Sequence, residues 1–420
     1  MVTPNPPRPT VLVRMADAGD VHLSWRWTHA LAHPGVGLVP EAGVAEALAA
    51  LDQALPLAGA LDRALVAGAL ARHETELALA RRLGQIFLPP VLAAQLARLH
   101  AHGVRPHVRV QPAPRLAQLP WELLAPEPDR RLLDIADVSV LAPATIVHAP
   151  GRVARTWADT RELPVVGVLD PRVPGFRADS RLGSVLGRLT PDAPLARLVA
   201  DHARQGRFRP EVSDPLAAFR RTDLDRTWLG AALRAGASRL LYVGHVTAAE
   251  PGSGQSEHAQ LHLACPADAV GFAPPLRAHR PLSAKDLLLG THTLTADPRP
   301  GAACWPFPSR VALIACESGG DLRFAEALGL ATAALHGGAE LVTATRWTLP
   351  TDLAFHRLAG VDAALRPFQA AVCAIDAAHE SDDPVRALCD WQRARLAAWR
   401  DRGRIEDSPL LWAAFATISA

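Results

Sequence analysis

The sequence predicts an α/β fold of three layers, with a mostly parallel sheet covered by helices on both faces, preceded by a smaller α+β subdomain. Two observations in the second half predict it. Four continuous apolar runs, at residues 163–169, 239–243, 311–315 and 341–345, read as strands buried on both faces, and helical segments alternate with them. A third observation sets the first half apart: residues 9–28 read as a hairpin, and residues 41–102 carry helical periodicity rich in Ala and Leu.

Taken in order, the opening hairpin turns at Gly19, between two aspartates. Pro56 and the Pro89–Pro90 pair cut residues 41–102 into three helices, because proline removes a donor and blocks the preceding turn. Strands follow at 107–110 and 138–141, on either side of Leu119-Pro120-Trp121-Glu122-Leu123-Leu124. Residues 149–162 are polar and read as a connection, so the two parts are expected at about 1–158 and 159–420. Beyond the strand at 163–169, residues 223–235 form a helix capped by Asp223 or Asp225, and the run 239–243 ends at Gly244-His245. A short strand is expected at 260–263 and a helix at 283–289 capped by Ser283. Residues 246–259 and 290–309 read as mobile loops. The run 311–315 ends at Cys316, and an amphipathic helix over 324–336 closes at Gly337-Gly338. Helices at 352–359, 365–379 and 384–401 precede a last apolar segment at 410–418.

Composition narrows the function. With 420 residues, 49% hydrophobic, 20% charged and a net charge of +2, the chain has no charge-based case for nucleic acid or an anionic membrane. Almost all its basic residues are arginine, and Lys285 is the one lysine. No signal peptide or membrane-spanning run is visible. Five cysteines without paired Cys/His spacing suggest neither a disulfide framework nor a structural zinc site. The expectation is a cytoplasmic protein with reduced thiols. His258, His262, His279 and His292 match no metal-ligand pattern, so no metal and no cofactor are expected.

Ligands of open α/β sheets bind beyond the carboxyl ends of the strands, where both His245 and Cys316 fall. A thiolate is the nucleophile that amide cleavage needs, and imidazole can protonate the leaving amine near pH 7. Placement alone leaves a capping imidazole and a core-packing thiol equally open.

The surrounding residues resemble the CHAT family of caspase-like peptidases, whose relatives include caspases and separase. The histidine strand reads Leu240-Leu241-Tyr242-Val243-Gly244-His245-Val246, and the cysteine strand Val311-Ala312-Leu313-Ile314-Ala315-Cys316-Glu317-Ser318-Gly319. The sequel, Ala325 to Ala331, then Gly337-Gly338-Ala339, Trp347 and Asp352, is also similar to the family. Weaker marks are Leu119–Leu124, Pro281–Leu289 and Ser408–Phe415; together the marks run from about residue 70 to the end.

The resemblance implies a caspase-like domain that is a cysteine endopeptidase, with Cys316 as nucleophile and His245 as general acid/base. It implies an oxyanion hole made by the backbone N–H groups of Val246 and Cys316. Val246 departs from the family's glycine; if that backbone needs φ > 0, valine would be strained or turn the donor away. Gly244, Glu317 and Asp352 are the candidate substrate-binding residues, although Glu317 and Asp321 also read as helix-start acids and Asp352 as a cap. An acid at the pocket base would favour a basic residue before the scissile bond. The resemblance further implies control from outside and a protein substrate, such as a partner encoded nearby, in a bacterial defence or cell-death pathway. The alternative is a catalytically silent interaction module.

Overall fold

A computed structural model describes residues 8–57 and 59–420. The chain divides into two compact units, Met1–Leu141 with Val385–Ala413, and Ala142–Pro384 with Ala414–Ala420. The sequence boundary at 158 therefore falls inside the second unit, and most of the expected 384–401 helix groups with the first.

In the first unit the strands are β1 (Thr10–Ala18), β2 (Asp20–Trp27), β3 (Gly35–Val39), β4 (His107–Gln111) and β5 (Asp137–Leu141), in the order β3-β2-β1-β4-β5. The expected hairpin is β1–β2, turned at Gly19 with φ +89°, a conformation glycine adopts without steric cost. β1, β4 and β5 run parallel, and β3 was not foreseen. Four helices, not three, fill residues 41–102: α1 (Glu41–Ala54), α2 (Leu61–Val66), α3 (His73–Phe87) and α4 (Pro90–Ala101). Pro89 and Pro90 separate the last two, with Pro90 at a first helical position where its missing N–H costs nothing. Trp121–Leu123 forms a buried 3-10 turn. The unit's interior also holds an ion pair: Arg131 and Glu76 are 1% and 0% exposed and 2.8 Å apart, and Trp399 Nε1 donates to Glu76 at 3.2 Å.

The second unit is the expected layered α/β structure. Its strands are β6 (Val165–Leu169), β7 (Phe208–Arg209), β8 (Arg239–Val243), β9 (Val246–Thr247), β10 (Gln260–Leu261), β11 (Leu282–Ser283), β12 (Arg310–Ile314), β13 (Leu341–Thr345) and β14 (Phe415–Ser419). The main sheet runs β14-β13-β12-β8-β6-β7, parallel except for β14, and β9–β11 form a small antiparallel sheet. Its principal helices are α5 (Pro194–Arg204), α6 (Arg226–Arg234), α7 (Ala284–Leu289), α8 (Leu330–His336), α9 (Asp352–Ala359) and α10 (Pro367–Glu380). α10 packs on α5, α9 and β12, while α8 packs on α7 and β13, so helices cover both faces of wholly buried strands. Asp225 and Ser283 cap α6 and α7 as expected. The expected helix over 324–336 shortens to α8. A Cβ at Gly329 would overlap Asp321 and lie 3.0 Å from its Cγ, and Asp321 reaches past this close contact to accept from Thr332 N at 3.0 Å. Within the loop read as mobile, Ser256 is 1% exposed and bonded to Glu326 O (2.6 Å) and Leu328 N (2.8 Å). Among the described residues, no single helix is long and apolar enough to cross a membrane.

Candidate active site

The site is assembled at the carboxyl ends of β6, β8 and β12, where Leu169, Val243 and Ile314 share one register row. His245 and Cys316 each lie two residues beyond that row, on neighbouring parallel strands whose spacing is about 4.8 Å. Both are partly buried.

The His245 ring is held from behind. Its Nε2 lies 3.1 Å from Gly183 O. A carbonyl only accepts, so Nε2 carries the proton and Nδ1 keeps a free lone pair. Gly183 O is itself fixed by Arg220 Nη1 at 3.0 Å. Asp170, the residue after β6, organises this support: it is 1% exposed and accepts from Ser184 Oγ (2.5 Å), Val185 N (3.1 Å) and Arg220 (3.3 Å). Burial holds the His245 pKa below its ordinary value, while the Gly183 carbonyl and the Asp170 charge pull it back up.

Cys316 opens a tight turn hooked to β13. Ser318 N and Oγ both meet Thr345 Oγ1 at 3.2 Å, Gly319 N donates to Thr345 O at 3.0 Å, and Ser318 Oγ donates to Leu313 O at 2.5 Å. Glu317 takes φ +51°, a left-handed conformation that a non-glycine residue holds only when its surroundings enforce it. Burial pushes the Cys316 thiol above its ordinary value; the Leu349 N–H opposes this and the Glu317 charge adds to it. Burial thus favours a neutral thiol and a neutral imidazole over the ion pair. Among the described residues, no hydrogen bond joins the Cys316 sulfur to the His245 ring.

Val246 lies in β9 with negative φ, so the strain considered for valine does not arise. His262 N donates to His245 O at 3.1 Å, which makes Val246↔Leu261 a non-hydrogen-bonded pair whose N–H groups point away from the ladder. The Val246 N–H has no partner among the described residues, and the Cys316 N–H lies against its own sulfur. Gly244 is buried, and a Cβ there would lie 2.7 Å from Tyr242 Oη, so its role is to admit that hydroxyl. Glu317 lines a cleft of only about 10 Å³ with Asp321, Ala248, Ala249, Ser256 and Phe324, and pairs with Arg323 at 3.3 Å; Cys316 and His245 are not among its lining residues. Asp321 is 4% exposed and its Oδ1 lacks a partner. Asp352 is not among the cleft residues: it is 6% exposed and its Oδ1 accepts from Phe368 N at 2.8 Å, capping α10, while Thr351 caps α9.

Gly183, Asp170 and Arg220 escaped the sequence reading. The one available signal was Asp170-Pro171 directly after a buried strand, which marks only its end. The four histidines do not gather: His262 and His279 meet each other, and no group of three metal-ligating side chains occurs among the described residues.

The CHAT domain model matches residues 77–420. The chain belongs to the CHAT domain family. No curated protein matches this CHAT chain in sequence. Among solved structures, the Saccharomyces cerevisiae separase–securin complex aligns over 98% of the chain at 10% identity, with a TM-score of 0.44. The CHAT chain covers 30% of the length of that structure's chain.

Proposed function

We propose that this CHAT protein is a cysteine endopeptidase that cleaves a specific partner protein. The observation that carries the reading is the shared position of Cys316 and His245 beyond one register row, with the imidazole tautomer set by Gly183 O. In this mechanism the thiol proton passes to His245 Nδ1 as sulfur attacks the peptide carbonyl. The N–H groups of Val246 and Cys316 receive the oxyanion. His245 then protonates the leaving amine, the C–N bond breaks, and a water deprotonated by His245 hydrolyses the thioester. No step calls for a cofactor.

Five free cysteines, one of them the nucleophile, fit a reducing cytoplasm, where we place the protein. The test is incubation with proteins encoded nearby, with Cys316→Ala as control. A product that persists with the control, or no product together with an unreactive Cys316, refutes the peptidase. A silent interaction module is the second reading, favoured by the missing bond between sulfur and imidazole. Thiol labelling separates the two: a peptidase loses Cys316 to a peptidyl chloromethyl ketone selectively, whereas a silent module labels it no faster than Cys373.

A further inference from the structure

Behind β9 a chain of hydrogen bonds runs through two histidines that the mechanism does not use. Thr247 Oγ1 lies 2.9 Å from His262 Nε2, His262 Nδ1 lies 3.1 Å from His279 Nε2, and His279 Nδ1 lies 2.9 Å from Cys265 O. Both imidazoles are 0% exposed. The terminal carbonyl fixes every direction in this chain. Cys265 O only accepts, so His279 Nδ1 donates and its Nε2 must accept. His262 Nδ1 then donates, its Nε2 accepts, and the Thr247 hydroxyl donates to it.

His262 thereby holds both neighbours of Val246. Its N–H donates to His245 O at 3.1 Å, and its ring receives the Thr247 hydroxyl. Tyr242 Oη reinforces the first contact, sharing its proton between His245 O (2.7 Å) and His262 O (3.0 Å). The peptide carrying the Val246 N–H is clamped on either side, while that N–H itself stays out of the ladder. An oxyanion loop with valine in place of glycine at this position has no need of a special φ if its flanks are held this way.

We propose that His262, oriented by His279 and acting on Thr247 and His245 O, is a positioning residue that aims the Val246 N–H at the developing oxyanion. This rests on the peptidase reading, and two reagents keep the two ideas apart. Iodoacetamide alkylates Cys316 at a tetrahedral carbon and needs no oxyanion hole. p-Nitrophenyl acetate acylates it through a tetrahedral oxyanion: the S–C bond forms, p-nitrophenolate leaves, and the thiol proton passes to His245. Each reaction is followed at the Cys316 peptide by mass spectrometry in the full chain.

Thr247 is exposed, so Thr247→Val removes the hydroxyl without threatening the core. A whole oxyanion donor is worth about 10²–10³ in rate, so Thr247→Val is expected to slow acylation at least tenfold, leave alkylation within about twofold, and be rescued by Thr247→Ser. His262→Ala should show the same split. Equal loss with both reagents means that the chain is merely structural and overturns the inference, as does no loss with either. A wild-type Cys316 that reacts with neither reagent faster than Cys373 overturns the peptidase reading itself, and the inference with it.

Discussion

Gly183→Ala should disable His245 without touching it. A Cβ at Gly183 would overlap the Ala178 carbonyl oxygen and lie 2.6 Å from Arg177 O, both backbone atoms of the same turn. Neither can rotate away, so the Gly183 peptide must move by on the order of 1 Å. Its carbonyl now sits 3.1 Å from His245 Nε2, and such a shift takes it beyond hydrogen-bonding reach. Without that acceptor the imidazole loses both its orientation and the tautomer that keeps Nδ1 free for the thiol proton. A displacement of this size at a catalytic group costs about 10²-fold in rate, or roughly 2.7 kcal/mol in barrier height. The assay is second-order alkylation of Cys316 by iodoacetamide at pH 7, with thermal unfolding recorded alongside. Wild-type alkylation in a folded Gly183→Ala protein would refute the argument that this carbonyl orients the base.

Other outcomes follow from the same geometry. Cys316 alkylation should rise with pH towards a midpoint above the ordinary thiol value, and Glu317→Gln should lower that midpoint by removing the neighbouring charge, both read from a pH–rate profile. Cys373, pushed up to about 12 by burial, should gain reactivity only at strongly alkaline pH, read from the same profile. Removing Arg131 leaves the Glu76 charge buried, so Arg131→Ala should cost about 3–5 kcal/mol by urea denaturation. His107, His262 and His379 are held neutral by burial, with pKa values of about 3. Their folded pKa values lie below the unfolded ones, so the unfolded chain binds the extra protons. Stability should be constant above about pH 6.5 and fall below it, by roughly 1.4 kcal/mol per pH unit for each group, down to about pH 3; denaturation at pH 7 and pH 5 checks this.

The strands that carry the site were legible because each is a continuous apolar run: β8 and β13 coincide with the runs at 239–243 and 341–345, and β12 differs from its run by one residue. Their adjacency was not legible, since sheet order depends on pairings between residues some 70 positions apart, and no local pattern encodes it. α5 was missed although its apolar face packs on α10, because short Ala/Arg-rich text after a Pro-rich stretch gives little contrast. α8 was overextended because periodicity cannot register the close approach of Gly329 to Asp321. No motif shows where the Asp352 carboxylate is held: its Oδ1 accepts from Phe368 N, a partner 16 residues away, while its Oδ2 has no hydrogen-bond partner among the described residues. The support behind His245 joins residues 170, 183 and 220, so chemistry visible at the strand tips depended on contacts that only the fold creates.

On the proposed peptidase reading, those contacts bear on how the protein could stay silent until its substrate arrives. Burial moves Cys316 up and His245 down, so the two shifts oppose formation of a thiolate–imidazolium pair at rest. A preformed pair would expose a strong nucleophile to every small electrophile in the cell. A neutral pair reacts more slowly with such electrophiles than with a bound carbonyl seated for proton transfer and attack to proceed together, with the oxyanion donors already aimed. Selectivity then resides in binding and in the fixed backbone around Val246 and Gly183, and a substrate that fails to seat against that backbone leaves the thiol protonated. An activator need only improve that seating; it need not change the ionisation of either residue.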